Sequence, residues 1–267
     1  MEKSILLIND VTGYGRVSTF AMLPVMAKYG LHPYVLPTAL VSNTLDYGIS
    51  ETLDTTEFMD STVKNWNELS FHFDNIATGF IANKKQVDII DSIIASNSDA
   101  FVFVDPIMAD SGELYPDMYP GAIESNRKLA SKADVLMPNI TEACLLTDLF
   151  VGNKLLDESQ QEEVLHALID LGPKNVVLKG CSNDKGQHYN IVCENGRVDK
   201  VYFDRLPVSF IGTGDIFAGV LISEYLCGIN LESAVQKASD FICEVIKENI
   251  NAKEPFDIKF ENTLNKL

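Results

Sequence analysis

Gly212-Thr213-Gly214-Asp215 places a carboxylate directly behind two glycines, between the strand-like approach Phe210-Ile211 and the apolar run Ile216-Phe217-Ala218-Gly219. Glycines on both sides of Thr213 let the backbone turn its N–H groups toward a ligand, and the dipole of a following helix adds positive potential there. The chemistry on offer is anion binding, with phosphate the natural guest. Asp215 adds a base, able to take a proton from an incoming hydroxyl while the N–H groups bear the charge of a transferring phosphoryl. A plain turn with Asp215 as helix N-cap accounts for the same tetrapeptide equally well.

Other residue types with chemical potential stand at the ends of apolar runs. Asp10-Val11-Thr12-Gly13-Tyr14-Gly15-Arg16-Val17-Ser18 has the outline of a dinucleotide fingerprint with Ser18 in place of the third glycine. The acid required about twenty residues on is missing, because that stretch reads Leu36-Pro37-Thr38-Ala39. Asp10 can instead bind a polar substrate group, with Gly13 and Gly15 permitting close backbone approach; a turn leading into a helix is the competing account. Asp105-Pro106 closes Phe101-Val102-Phe103-Val104 and begins an irregular stretch that runs through Gly112 to Pro120. A carboxylate there suits magnesium beside phosphates, although Asp-Pro alone is as often a turn. Tyr115 in that stretch can stack or hydrogen-bond near a nucleotide, or stand exposed.

Asn139 and Glu142 are spaced as a capping box. Beyond capping, Asn139 can contact phosphate and Glu142 can orient metal-bound water. Lys179 follows Val176-Val177-Leu178 and can meet phosphate as a point charge or remain solvated. The histidines at 32, 72, 166 and 188 lack metal-ligand spacing, and neither a GxSxG elbow nor a GxxxxGK[ST] phosphate loop occurs. A nucleotide site must then use the turn at 212–214.

Positioning these groups falls to short, continuous apolar runs at 5–8, 34–41, 76–79, 101–104, 135–137 and 176–179, the pattern of strands covered on both faces. Helical periodicity lies between them: residues 84–96 put Val87, Ile90, Ile93 and Ile94 on one face, and 159–171 do the same with Val164, Leu165, Leu168 and Ile169. The alternation predicts right-handed βαβ units, an α/β fold with an open parallel sheet and helices on both sides. Two stretches depart from it. Runs at 188–192 and 198–203 flank Asn195-Gly196, which predicts an antiparallel hairpin at one edge. Residues 35–57, rich in Thr, Ser and Asn, form either a binding loop or flap or an ordinary connection. Helices over about 215–228 and 231–250 close the fold. Ligands of such sheets bind at the carboxyl ends of the strands, which puts Asn9-Asp10, Thr78-Gly79, Asp105-Pro106, Pro138-Asn139, Lys179-Gly180 and the 212–215 turn on one rim.

Composition narrows the partners. With 267 residues, 46% apolar and 22% charged, the chain is expected to be one domain over 1–267 with a substantial core. Lys and Arg number 21 against 38 Asp and Glu, a formal charge of −17, which repels nucleic acid and anionic membranes and makes a divalent metal more plausible wherever a polyanion is received. Five cysteines at 144, 181, 193, 227 and 243 form no CxxC pair, as expected of reduced core fillers. The N-terminal apolar run is too short for a signal sequence and no 18-residue apolar run occurs, so a soluble, cytoplasmic protein is expected.

Asp105-Pro106 with Gly112, Pro138-Asn139-Ile140-Thr141-Glu142 and Gly212-Thr213-Gly214-Asp215-Ile216-Phe217 resemble, in that order, the ribokinase-like superfamily, and within it the vitamin B6 kinases. Ser42-Asn43 and Thr78-Gly79-Phe80 are similar to that group's substrate-side segments. The resemblance covers nearly the whole chain and implies a three-layer α/β/α fold. It implies MgATP donating its γ-phosphoryl to the hydroxymethyl group of pyridoxal, pyridoxamine or pyridoxine. Asp215 then matches the general base, and Gly212, Thr213 and Gly214 the anion hole. Asn139 and Glu142 match the phosphate and magnesium motif, Asp105 an acid near the metal, and Tyr115 a nucleotide-side loop position, with Lys179 expected to join them on its strand-end position alone. Asp10, Ser42 and Phe80 face the substrate. A monovalent cation such as K⁺ near the anion hole and a homodimer are further implications.

Departures from that group's pattern concern the substrate. Typical pyridoxal kinases carry serine at the position of Asp10, Gly-Tyr-Val-Gly-Asn in place of Gly13-Tyr14-Gly15-Arg16-Val17-Ser18, and Ser-Asn-His-Thr-Gly in place of Ser42-Asn43-Thr44-Leu45-Asp46. An acid at Asp10 suits a cationic aminomethyl group and so pyridoxamine. The alternative on the same fold is a hydroxymethylpyrimidine kinase, whose members usually place cysteine where this chain has Asp215. A non-catalytic ligand-binding protein of the fold is a second alternative, against which the retained Asp215, Glu142 and both cradle glycines speak.

Overall fold

Continuous apolar runs form the centre of a nine-stranded sheet in a computed structural model of the chain, which describes residues 4–116, 118–252 and 258–267. In chain order the strands are β1 (Ser4–Tyr14), β2 (His32–Asn43), β3 (Thr52–Asp54), β4 (Asn75–Thr78), β5 (Phe101–Val104), β6 (Ala109–Asp110), β7 (Glu113–Leu114), β8 (Val135–Leu136), β9 (Asn175–Ser182), β10 (His188–Glu194) and β11 (Arg197–Phe203). The sheet order is β11-β10-β9-β8-β5-β4-β1-β2-β3, with β6 and β7 a separate two-stranded ribbon. From β9 to β2 every neighbouring pair is parallel.

Both faces of that parallel core are covered, which is why its strands do not alternate apolar with polar residues. Leu6 and Ile8 point into one layer with helices α2 (Thr56–Glu68), α3 (Lys84–Ser96), α4 (Ala122–Ala130), α5 (Ile140–Thr147) and α6 (Glu158–Asp170). Ile5 and Leu7 point into the other, with α1 (Ser18–Lys28), α7 (Thr213–Leu226) and α8 (Leu231–Asn249). The result is a three-layer α/β/α architecture, as the resemblance implies.

The antiparallel hairpin is β10–β11: Asn195 and Gly196 have φ of 52° and 81°, as a two-residue type I′ turn demands. The opposite edge is antiparallel too, because β3 pairs with the far end of β2. The stretch at 35–57 is therefore a flap built on the sheet. Residues 10–14 do not make a helix-leading turn; they continue β1, pairing along β2 as far as Tyr14 with Asn43 after an irregularity between Asn9 and Val11. Glycine permits this approach, since a Cβ on Gly13 would lie 3.0 Å from the Ser42 carbonyl oxygen. Within the stretch expected to be irregular, β6 and β7 turn through Ser111 and Gly112 at φ 53° and 89°.

Four of the five cysteines are buried and Cys227 is exposed. Among the described residues no helix is long and apolar enough to cross a membrane.

Candidate active site

Backbone hydrogen bonds carry the parallel ladder past the strand ends and fix the rim. The Gly79 N–H donates to the Ile8 carbonyl, Asp105 to Thr78, Met137 to Val104 and Lys179 to Pro138, at 2.8–3.0 Å. Asn139 and Lys179 then form a parallel bridge beyond β8 and β9. Asp105, Asn139 and Lys179 thus rise from the adjacent ends of β5, β8 and β9, and Asp10 from β1 on the far side of β4, on the one rim that alternation predicted.

At the centre of the rim Lys179 Nζ donates to both carboxylate oxygens of Asp105, at 2.9 and 2.8 Å. Burial alone would push the ammonium down, but Asp105 and Glu142 outweigh it and hold Lys179 above its ordinary value. Next to the pair, Asn139 and Glu142 complete the capping box of α5: Asn139 Oδ1 accepts from the Glu142 N–H at 2.9 Å and Glu142 Oε2 accepts from the Asn139 N–H at 2.8 Å. Asn139 Nδ2 also donates to the Ala109 carbonyl at 2.8 Å, tying the cap to the ribbon. Burial pushes the Glu142 carboxyl up to about 8, against the pull of Lys179 and with the charge of Asp105 adding to the rise. Tyr115, half-buried just after the ribbon, is pushed up by burial and by the charges of Glu142, Asp110, Asp215 and Asp105, so it faces the same acids.

Across the rim lies the glycine turn. Gly212, at φ 85°, caps α7, and the first helical bond is Ile216 N–H to the Gly212 carbonyl at 3.0 Å. The N–H groups of Thr213, Gly214 and Asp215 therefore lie ahead of the helix's own ladder. Thr213 Oγ1 donates back to the Phe210 carbonyl at 3.0 Å, so its side chain closes the turn while its N–H stays in the cradle. Desolvation pushes Asp215 up to about 7; the Ser18 backbone N–H draws it down, Asp10 and Asp105 add to the rise, and Lys179 opposes it. Asp10 is buried, its carboxyl pushed up by that burial and pulled back by the hydroxyls of Ser18 and Thr12. Thr12 Oγ1 donates to it at 2.8 Å. A small hollow floored by Leu7, Met22, Met137 and Ile222 opens between Asn9, Asp105 and Asp215.

Asn9, placed on the rim by its strand end, and Ser18, named only as the residue in place of the third glycine, both belong to this centre although neither was assigned a role there. Asn9 Oδ1 accepts from the N–H groups of Asp10 and Phe80, at 3.0 and 2.8 Å, and so fixes the two strand ends together. Its signal was a polar residue closing Ile5-Leu6-Leu7-Ile8. Ser18 had none, because its φ of 51° and its approach to Asp10 and Asp215 are products of the fold. Phe80, half-buried, is held at the rim by that bond and by Thr38 Oγ1 donating to its carbonyl at 2.7 Å. Ser42 stands apart on the flap, where its hydroxyl donates to Asn43 Oδ1 at 2.7 Å and accepts from the Glu51 N–H at 2.9 Å. It lines an open hollow there with Tyr14, Asn43, Tyr47 and Ile49.

For a metal, the described residues contain no group of three or more His, Cys, Asp or Glu side chains able to hold one. What exists is the pair Asp105 and Glu142, close enough for the charge of one to raise the other. Two carboxylates fit a magnesium ion that arrives on nucleotide phosphates and keeps much of its water, rather than a resident ion in a protein cage.

The family model described as phosphomethylpyrimidine kinase matches residues 21–257. The pyridoxal kinase PdxY of Burkholderia lata is 25% identical, with 94% of this chain and 90% of that protein aligned. The hydroxymethylpyrimidine/phosphomethylpyrimidine kinase of Haemophilus influenzae is 28% identical, over 74% and 73% of the two chains. Among solved structures, a Bacteroides thetaiotaomicron protein named after the phosphomethylpyrimidine kinases and crystallised with pyridoxal superposes with a TM-score of 0.93 at 29% identity, covering 100% of this chain and 96% of that one.

Proposed function

Because this chain belongs to the phosphomethylpyrimidine kinase family, we propose that it uses ATP to phosphorylate the hydroxymethyl group of a B6 vitamer: pyridoxal, pyridoxamine or pyridoxine. The observation that carries this reading is the Asp215 carboxylate, seated at the N-terminus of α7 beside the 212–214 cradle and pushed up to about 7. A general base works best when its pKa lies near the operating pH. Asp215 takes the hydroxymethyl proton as the oxygen attacks, and the N–H groups of the turn receive the charge of the transferring phosphoryl. Asn139, Lys179 and Tyr115 line the nucleotide side, with Lys179 acting through Asp105. Asp10 and Phe80 address the ring, and Ser42 acts from the flap. Magnesium bound with the nucleotide supplies charge neutralisation on the phosphates, and Glu142 and Asp105 would hold it, directly or through water.

Similarity to the B. lata pyridoxal kinase along 94% of this chain supports the B6 acceptor, as does the pyridoxal in the Bacteroides crystal. The second reading, hydroxymethylpyrimidine as acceptor, is favoured by the H. influenzae relative and by the family's own description. Asp215 speaks for the first, since the pyrimidine enzymes usually carry cysteine there. The proposed setting is cytoplasmic, with a homodimer and a monovalent cation near the turn as the resemblance implies. A coupled ADP-release assay over pyridoxal, pyridoxine, pyridoxamine and hydroxymethylpyrimidine with Mg²⁺ tests the proposal. Turnover restricted to the pyrimidine rejects the B6 acceptor, and no turnover with any of them favours a non-catalytic binding protein.

A further inference from the structure

Gly212 is pinned from outside its own turn. A Cβ on it would lie 2.1 Å from the backbone oxygen of Arg16 and 3.3 Å from a methyl of Val17, so the α-carbon of the cradle rests directly on the loop between β1 and α1. Two residues further on, Ser18 aims its N–H at Asp215. Residues 16–18 thus touch both halves of the site, the anion-binding turn through a carbonyl and the base through an amide.

That loop is fastened on its far side to the C-terminal segment. Arg16 Nε donates to Glu261 Oε1 at 2.7 Å. Glu261 is itself aimed, because its Oε2 accepts from the Phe260 N–H at 3.1 Å, and Phe260 and Ile258 are buried in the layer that holds α7 and α8. The turn over Glu261–Lys266 is tied to α8 by Thr263 Oγ1 with Glu248 Oε2 at 2.5 Å and by Lys266 with Glu244 and Glu248, each at 2.9 Å. Arg16 and Glu261 are both partly exposed, with side chains at 36% and 46%, so their pair contributes little to global stability. Its location gives it another use.

We propose that Arg16 is a positioning residue for the anion-binding turn, and that residues 258–267 act as the latch that holds the 16–18 loop against Gly212. The proposal rests on the phosphoryl-transfer role of the 212–214 turn. Small displacements of a charge-stabilising group cost up to roughly 100-fold in rate, so freeing the loop is expected to lower kcat by roughly 10- to 100-fold. The diagnostic readout is kcat together with exchange at the turn, because Ser18 of the same loop also holds the acceptor-side Asp10 and KM can move with it.

The test uses the full chain with Glu261→Gln, Arg16→Met and the double variant. The expected result is a fall in kcat in each single variant, no further fall in the double, an unchanged melting temperature, and faster amide hydrogen exchange confined to 13–18 and 211–216. An unchanged kcat in Glu261→Gln, or unchanged exchange at 211–216, overturns the proposal. If the wild-type protein turns over no acceptor, the kinase reading fails by itself, and the exchange measurement still decides whether the latch exists.

Discussion

Lys179 donates both of its short hydrogen bonds to Asp105, and with side-chain exposures of 15% and 7% the pair is nearly sealed from water. A cation so placed has most of its charge answered by its partner, and what it presents to the rim is an ion pair rather than a bare lysine.

Removing one partner of such a pair leaves the other as a buried, uncompensated charge, which costs about 3–5 kcal/mol. Lys179→Met is therefore expected to unfold at markedly lower denaturant than wild type. The double variant Lys179→Met/Asp105→Leu, which removes both charges, should recover much of that loss while remaining inactive. Urea unfolding of the three proteins checks this, and a Lys179→Met chain as stable as wild type contradicts it.

Asp215 makes activity and stability respond oppositely to pH. Its carboxyl is raised from an ordinary 3.8 to about 7 in the fold, so between those values the folded chain holds a proton that the unfolded chain releases. The stability this confers is present below about pH 4, and it is lost as pH rises through 7. Glu142, pushed up to about 8, adds to the trend. As a base, however, Asp215 works only when ionised, so kcat/KM should climb through an acid limb near 7. Asp215→Asn is expected to lower kcat by about 10²–10⁴-fold with nucleotide binding retained, and to melt higher than wild type at pH 8, by about 2–4 °C per kcal/mol gained. Nearly normal turnover, or a melting temperature that falls with pH as steeply as in wild type, removes Asp215 from this role.

What the sequence made legible follows the range of each interaction. The capping box of Asn139 and Glu142 and the Asn195-Gly196 turn are local, so spacing alone reveals them. The rim is legible because a parallel sheet forces its strand ends to one side. The Lys179–Asp105 pair joins residues 74 apart in sequence, and nothing near either one announces the other. Gly13 left two accounts open for a physical reason: glycine serves a tight turn and a close backbone approach alike, and only the register of β1 against β2 decides for the approach. The flap strand β3, Thr-Leu-Asp and exposed throughout, carries too little apolar patterning to be read as a strand.

Asp10 supplies a test of the acceptor. It lies buried near Asp215 and raises that carboxyl, so two acids share one end of the site. A cationic aminomethyl group would relieve their repulsion, and an aldehyde would not. Asp10→Asn is therefore expected to lower kcat/KM for pyridoxamine relative to pyridoxal. An unchanged ratio of the two values excludes Asp10 as the selecting residue.

The two glycines of the cradle should respond differently to the same substitution. Gly212 sits at φ 85°, where a side chain is strained, and a Cβ there would meet the Arg16 backbone oxygen at 2.1 Å, which cannot swing aside as a flexible side chain would. Gly212→Ala must therefore shift the loop or the turn, and both stability and kcat should fall. At Gly214 a Cβ meets nothing within 4 Å, and the residue lies in the first turn of α7, where alanine is the better helix former by about 1 kcal/mol. Gly214→Ala should consequently melt no lower than wild type, yet it puts a methyl group where, in the proposed reaction, the phosphoryl approaches the N–H groups, and kcat should drop by at least about tenfold. Thermal melts and ADP-release kinetics of the two variants separate the roles: Gly212 shapes the turn, and Gly214 keeps its open face clear. A Gly214→Ala enzyme with full turnover would mean that the phosphoryl does not pass over this turn.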